Sequence, residues 1–104
     1  MAKTREVVWT KNSEIQLQEI LEFFTLRNKS NQYSQKLYKQ FKTELKTVAQ
    51  RPDIGIKTKL EKIRGLIVGD YILFYEIGED KILVLKVWDC RQSPDKLNIP
   101  SQIS

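Results

Sequence analysis

The apolar positions of this chain change their spacing as it proceeds, and each spacing names an element. Glu6-Val7-Val8-Trp9-Thr10 is a short β-favouring run that reads as a first strand. Asn12 and Ser13 follow as N-cap candidates, and Ser13 with Gln16 fits a capping box. From Ile15 the spacing becomes helical. Leu17, Ile20, Leu21 and Phe24 form one stripe at three- and four-residue steps, with Glu14, Glu19 and Glu22 toward the other faces. Residues 27–30 are a polar break suited to a tight turn. A second helix is predicted over residues 32–50, with Tyr33, Leu37, Phe41, Leu45 and Val48 as its stripe and Lys36, Lys39, Lys42 and Lys46 between them. Pro52 cannot continue that helix and disfavours helical geometry at Arg51.

Beyond a loop around Gly55, over residues 53–58, come three β-like runs. Residues 60–68 are interrupted by Gly65, residues 71–77 are unbroken, and residues 82–88 are dense in Val and Leu. Gly69-Asp70 and Gly78-Glu79-Asp80 are the turns between them. The predicted order is β-α-α-β-β-β. Two apolar-faced helices with a short connection make an antiparallel hairpin. Packed on one face of a curved, mostly antiparallel sheet, that hairpin gives an α+β fold. All 104 residues are read as one domain, with its core over residues 6–97 and a mobile tail at 98–104.

Composition narrows the chemistry. The net charge is +5, which suits a polyanion or an acidic protein. That charge is concentrated: residues 27–64 hold 11 basic and 3 acidic side chains, a local net of +8. The alternatives there are a solvated helix face or a surface for phosphates or an acidic partner. There is one cysteine, Cys90, and no histidine. An intramolecular disulfide is excluded, a structural zinc site is not expected, and the commonest general base near neutral pH is missing. No cofactor is expected. The N-terminus lacks an apolar signal core and no apolar run has the length of a membrane span, so a cytoplasmic protein is expected. Tyr71 and Tyr75 share a strand face by period 2 and read as core or rim residues; Trp9 and Trp88 read as packing residues. Cys90 beside Arg91 lacks a base partner and is not expected to be a nucleophile.

The C-terminal half resembles the RelE/ParE toxin superfamily. The matching stretch runs from Arg64-Gly65-Leu66-Ile67-Val68-Gly69-Asp70-Tyr71 through the hairpin to Leu85-Lys86-Val87-Trp88-Asp89-Cys90-Arg91, then Gln92-Ser93-Pro94. It shows the family's Arg-led strand, Tyr-rich strand, apolar strand and following Arg. With the first strand and both helices in the expected order, the resemblance extends over residues 6–97. It implies the toxin of a bacterial toxin–antitoxin pair, associated with plasmid stabilisation and growth inhibition and neutralised by an acidic antitoxin that folds on binding.

Members divide by target. RelE-like toxins cleave mRNA on the ribosome without a metal; ParE-like toxins poison DNA gyrase. The resemblance places Arg91 at the phosphate-stabilising Arg after the last strand, and Arg64 at the Arg that opens the preceding hairpin; these are the catalytic candidates. Lys57, Lys59 and Lys62 fall where some nuclease members carry cations. With Lys39 and Lys46 of the second helix they complete the candidate surface for nucleic acid or a protein partner. Arg91 has a structural alternative, an ion pair with Asp89 or Asp95, and Arg64 another, capping a neighbouring carboxylate at the sheet edge. Two departures matter. Tyr71 is followed by Ile72 where nucleases carry Tyr-Arg, and Leu97 stands near their distal Tyr or His. The balance therefore leans to a ParE-like, non-nucleolytic mode, with an mRNA endoribonuclease as the second reading and a non-toxic binding module on the same fold as the third.

Overall fold

The computed structural model describes residues 4–91. A first strand, β1 (Glu6–Trp9), leads into two long helices, α1 (Lys11–Asn28) and α2 (Gln32–Gln50). A 3-10 turn at Pro52–Ile54 and a two-residue strand β2 (Ile56–Lys57) precede the meander β3 (Ile63–Val68), β4 (Tyr71–Ile77) and β5 (Lys81–Asp89). The sheet order is β1-β5-β4-β3-β2. β2 through β5 are antiparallel, whereas β1 lies parallel to the first half of β5, Glu6 opposite Lys81 and Trp9 opposite Val84. The predicted α+β order holds, and the tail at 98–104 and Leu97 lie outside the described residues.

The α2 stripe does most of the burying. Leu37, Phe41, Leu45 and Val48 are buried against Leu66, Val68, Leu73, Tyr75, Ile82 and Val84 of the sheet. Burying such side chains is the main favourable term in folding. α1 is less cleanly divided. Leu17 is buried and Ile20, Leu21 and Phe24 are partly so, but Ile15, Phe23 and Leu26 face solvent. The opposite sheet face carries a smaller cluster of its own, Ile63, Phe74, Leu85 and Trp88, with Leu60 and Ile72 against it. Gly65 fits within that packing: a Cβ there would sit 3.1 Å from Ile72.

Two sequence expectations are corrected. The first helix is capped by Thr10, not by Ser13 within a capping box with Gln16. The Thr10 Oγ1 accepts from the Ser13 N–H at 3.2 Å. Ser13 is the buried third residue of the helix, its hydroxyl donating to the Thr10 carbonyl at 2.9 Å. Gln16 instead reaches the sheet, its Oε1 accepting from the Val87 N–H at 2.8 Å. The second correction concerns residues 53–68. The expected loop contains β2, and the following strand starts at Ile63 rather than Leu60. The Thr58 hydroxyl donates to the carbonyls of Leu60 and Ile63 and accepts from the Leu60 N–H, folding residues 58–62 into a turn.

α1 ends at Lys29, whose φ of 54° is left-handed. The Lys29 and Ser30 N–H groups both satisfy the Thr25 carbonyl. This is a helix stop that glycine makes without the Cβ penalty. Lys29→Gly is therefore expected to stabilise the protein by about 0.5–1 kcal/mol, read as a raised urea midpoint at unchanged m-value. Phe41→Ala is expected to cost about 3–5 kcal/mol in the same measurement, because Phe41 is completely buried between α2 and the sheet, edge-on to Tyr71.

Candidate functional site

β5 is nine residues long and β1 only four, so β1 covers only its first half. At Tyr75 the β4–β5 register shifts, leaving Leu85 as an extra residue. Such bulges increase local twist. Past the bulge, α1 rather than a strand flanks β5. The result is a cleft of about 460 Å³ between α1 and the end of β5, lined by Gln16, Ile20, Phe23, Tyr71, Trp88 and Arg91 among others.

Arg91 stands at the rim of this cleft. Its Nε and Nη2 donate to the two Asp89 carboxylate oxygens at 3.0 and 2.8 Å, and its backbone N–H donates to Oδ1 at 2.9 Å. The guanidinium side chain remains 58% exposed. The hydrogen-bonded guanidinium holds the Asp89 carboxyl below the usual carboxylate range. Of the alternatives for Arg91, the Asp89 pair is formed; Asp95 lies outside the described residues. Burial pushes the Tyr71 hydroxyl above its ordinary pKa, and the nearby Asp89 charge adds to the effect.

Arg64 is elsewhere. It sits opposite Tyr75 on β4, while Asp89, two residues before Arg91, sits opposite Tyr71. Four strand residues span about 13 Å, so the two catalytic candidates belong to opposite ends of β4. The Arg64 Nη1 donates to the Gly55 carbonyl at 2.9 Å, its cap being a backbone carbonyl rather than a carboxylate. Beside it, the buried Tyr75 hydroxyl donates to the Pro52 carbonyl at 2.7 Å and accepts from the Gly55 N–H at 3.1 Å. A Cβ on Gly55 would collide with that hydroxyl. Arg64 and Tyr75 thus clamp the α2–β2 connection.

The lysines are divided as well. Lys57 lies opposite Arg64 at the β2–β3 edge, and Lys59 and Lys62 are exposed in the adjoining turn. Lys39 and Lys46 are on α2, where with Tyr38, Lys42 and Thr43 they line a separate cavity of about 380 Å³. Cys90 is exposed. Sequence reasoning missed Gln16 as a cleft-forming group. Gln16 was absorbed into a local cap pattern, and its sheet contact, 71 residues away, carries no sequence signal. Asp89 was legible as the nearest carboxylate to Arg91.

A small basic α+β domain with a helical hairpin over a five-stranded sheet of this order has the fold that the RelE/ParE resemblance implies. The model of the family described as "ParE toxin of type II toxin-antitoxin system, parDE" matches residues 7–94. The chain belongs to that family. Among solved structures it is similar to one titled "Chromosomal ParDE TA system from P. aeruginosa", with a TM-score of 0.70 and 13% identity over 83% of this chain and 96% of the other. No curated protein matches the sequence. Among the described residues, no helix is long and apolar enough to cross a membrane.

Tyr75→Phe removes the acceptor of the buried Gly55 N–H. It is expected to destabilise the fold by about 1–3 kcal/mol, measured by urea denaturation. Burial raises the Tyr75 pKa above the ordinary 10.0. A raised folded-state pKa gives stability that is fully present below the unfolded value and lost as pH rises through the folded one. Wild-type stability should therefore fall in alkali above about pH 10, and Tyr75→Phe should reduce that slope.

Proposed function

We propose that this toxin acts by binding rather than by cutting RNA, with DNA gyrase as its target, and that an acidic antitoxin holds it inactive in the cytoplasm. The observation that carries the reading is the separation of the catalytic candidates. Metal-free RNA cleavage needs a base for the 2′-oxygen, cations on the phosphate and an acid for the leaving 5′-oxygen, all at one scissile bond. Here Arg64 is turned onto the Gly55 carbonyl at one end of β4, and Arg91 is paired with Asp89 at the other. The nearby tyrosines offer poor proton transfer at neutral pH, since burial raises the pKa of both Tyr71 and Tyr75. A paired but exposed arginine at a cleft rim suits recognition of a protein surface, where Arg is favoured at contact centres.

One observation supports the second reading, a ribosome-dependent mRNA endoribonuclease. Arg91 is more than half exposed and could exchange Asp89 for a phosphate with the same two-pronged geometry. Lys57, Lys59 and Lys62 would then contact RNA along the β2–β3 edge.

The test is to assay gyrase supercoiling and the integrity of ribosome-bound mRNA with the same purified toxin. Supercoiling should be inhibited and mRNA left intact. Cleavage of ribosome-bound mRNA alone would overturn the proposal. Arg91→Ala is expected to weaken toxicity by roughly one to two decades, the loss of a charge-assisted contact worth about 1.5–3 kcal/mol. Cys90→Ser should leave toxicity unchanged. Full toxicity in Arg91→Ala would remove Arg91 from the interface.

A further inference from the structure

We propose that the solvent face of α2 binds duplex DNA through its phosphates, without reading sequence. The inference goes beyond the gyrase reading and does not need it, since the toxin alone is expected to bind the duplex.

The helix is divided lengthwise. Its core face is the stripe Leu37, Phe41, Leu45 and Val48. On the solvent side stand Lys36, Lys39, Lys42 and Lys46, all exposed, at steps of three, three and four residues. Residues at these steps are neighbours on a helix, so the four form one row. From Lys36 to Lys46 the row is about 15 Å long. Lys39, Lys42 and Lys46, with Tyr38 and Thr43, border a hollow of about 380 Å³.

Nothing on the helix neutralises this row. No exposed position of α2 carries a carboxylate. Its one acidic residue, Glu44, is half-buried, and the residues three and four steps from it are Gln40, Phe41, Thr47 and Val48, none of them basic. Among the described residues, none of the four lysines forms an ion pair. Lys42 lies over the Tyr38 ring, 5.4 Å from its centre. A helix face that is merely solvated ordinarily mixes both signs of charge, because opposite charges one turn apart stabilise it. Four like charges in a row repel one another, and an anionic partner relieves that repulsion.

The side chains select the kind of anion. Protein interfaces gather aromatic, Met and Arg side chains at their centres and are poor in Lys. This face is built from Lys, Gln and Thr with a single Tyr, side chains that contact phosphate and sugar oxygens. Contacts of that kind position a protein on nucleic acid but carry no sequence information. Single strands are held by stacking bases on aromatic rings, and the row has only Tyr38, whose ring Lys42 already covers. A duplex needs no such platform, and along the length of the row it carries roughly nine phosphate charges. A lipid surface requires an apolar face to insert, and that of α2 is committed to the core. Held loosely on DNA, the toxin would search along the polymer on which gyrase acts.

The experiment titrates a fluorescein-labelled duplex of about 20 base pairs with the purified toxin and reads anisotropy, at about 50 and about 200 mM salt. Affinity should fall roughly a hundredfold between the two salts, as four phosphate contacts require. A second duplex of unrelated sequence should bind equally. Lys39→Gln/Lys42→Gln/Lys46→Gln should lower affinity at least tenfold and flatten the slope of log K against log salt by about 2.7. Lys57→Gln/Lys59→Gln/Lys62→Gln, which removes the same charge at the far sheet edge, should leave that slope in place. All six positions are exposed, and urea denaturation confirms that each variant is folded. Equal losses in the two variants overturn the site, because binding then follows net charge alone. Strong preference for one duplex overturns recognition through phosphates. No binding by the wild-type toxin at the lower salt overturns the inference outright. Retained DNA binding in the α2 variant, with weakened binding to purified gyrase, also overturns it and assigns the face to a protein.

Discussion

The molecule depends on a four-residue parallel pairing between its first and last strands. β1 and β5 are joined by no turn; both helices and three strands intervene between them. Closing so long a loop has an entropic cost, and four residues of ladder alone do not offset it. Thr10 concentrates the compensation. Its N–H bonds Val84, its hydroxyl oxygen caps α1, and its carbonyl accepts from both the buried Ser13 hydroxyl and the Glu14 N–H. One residue thus ends β1, starts α1 and fixes where the hairpin leaves the sheet. With α1 anchored there, the α2 stripe falls over β3–β5 and the main core forms.

The same short pairing creates a surface available for recognition. Because β1 stops at Trp9, the last half of β5 is paired with β4 on one side and, among the described residues, has no strand on the other. Gln16 stands in, offering a side-chain oxygen to Val87 where a backbone carbonyl would otherwise be. The cleft beside Arg91 is the space that substitution leaves. On the other side of β1 no strand pairs among the described residues, and Lys42 and Lys46 of α2 stand beside it.

Much of this architecture was legible in the sequence, and the parts that were not share a cause. The stripe Leu37, Phe41, Leu45, Val48 and the run Tyr71–Ile77 are long and periodic, so local pattern determines them. β2 has two residues, too few for a period to register. Ser13 with Gln16 imitates a capping box, while the Ser13 hydroxyl is buried and bonded to the Thr10 carbonyl. The second small core was invisible for a related reason. Phe74, Leu85 and Trp88 gather only after a bulge shifts the alternation of β5, and a one-residue register shift moves side chains to the other face. The site suffered most. Arg64 and Arg91 were both legible as fixed charges, but their separation depends on the order of strands in the sheet.

That separation bears on how a domain this small can poison its target. A catalytic site in metal-free phosphoryl chemistry requires several charged groups converging within about 3 Å of one reacting centre. Each such group must be held there against its neighbours' repulsion. This chain spends its cations differently. Arg64 is committed to a backbone carbonyl that secures the α2–β2 connection, and Arg91 to Asp89. The exposed lysines stand on two remote faces, one on α2 and one at the β2–β3 edge. Dispersed positive charge of this sort gathers acidic partners from a distance and orients them. It does little to stabilise charge growing on a single phosphate.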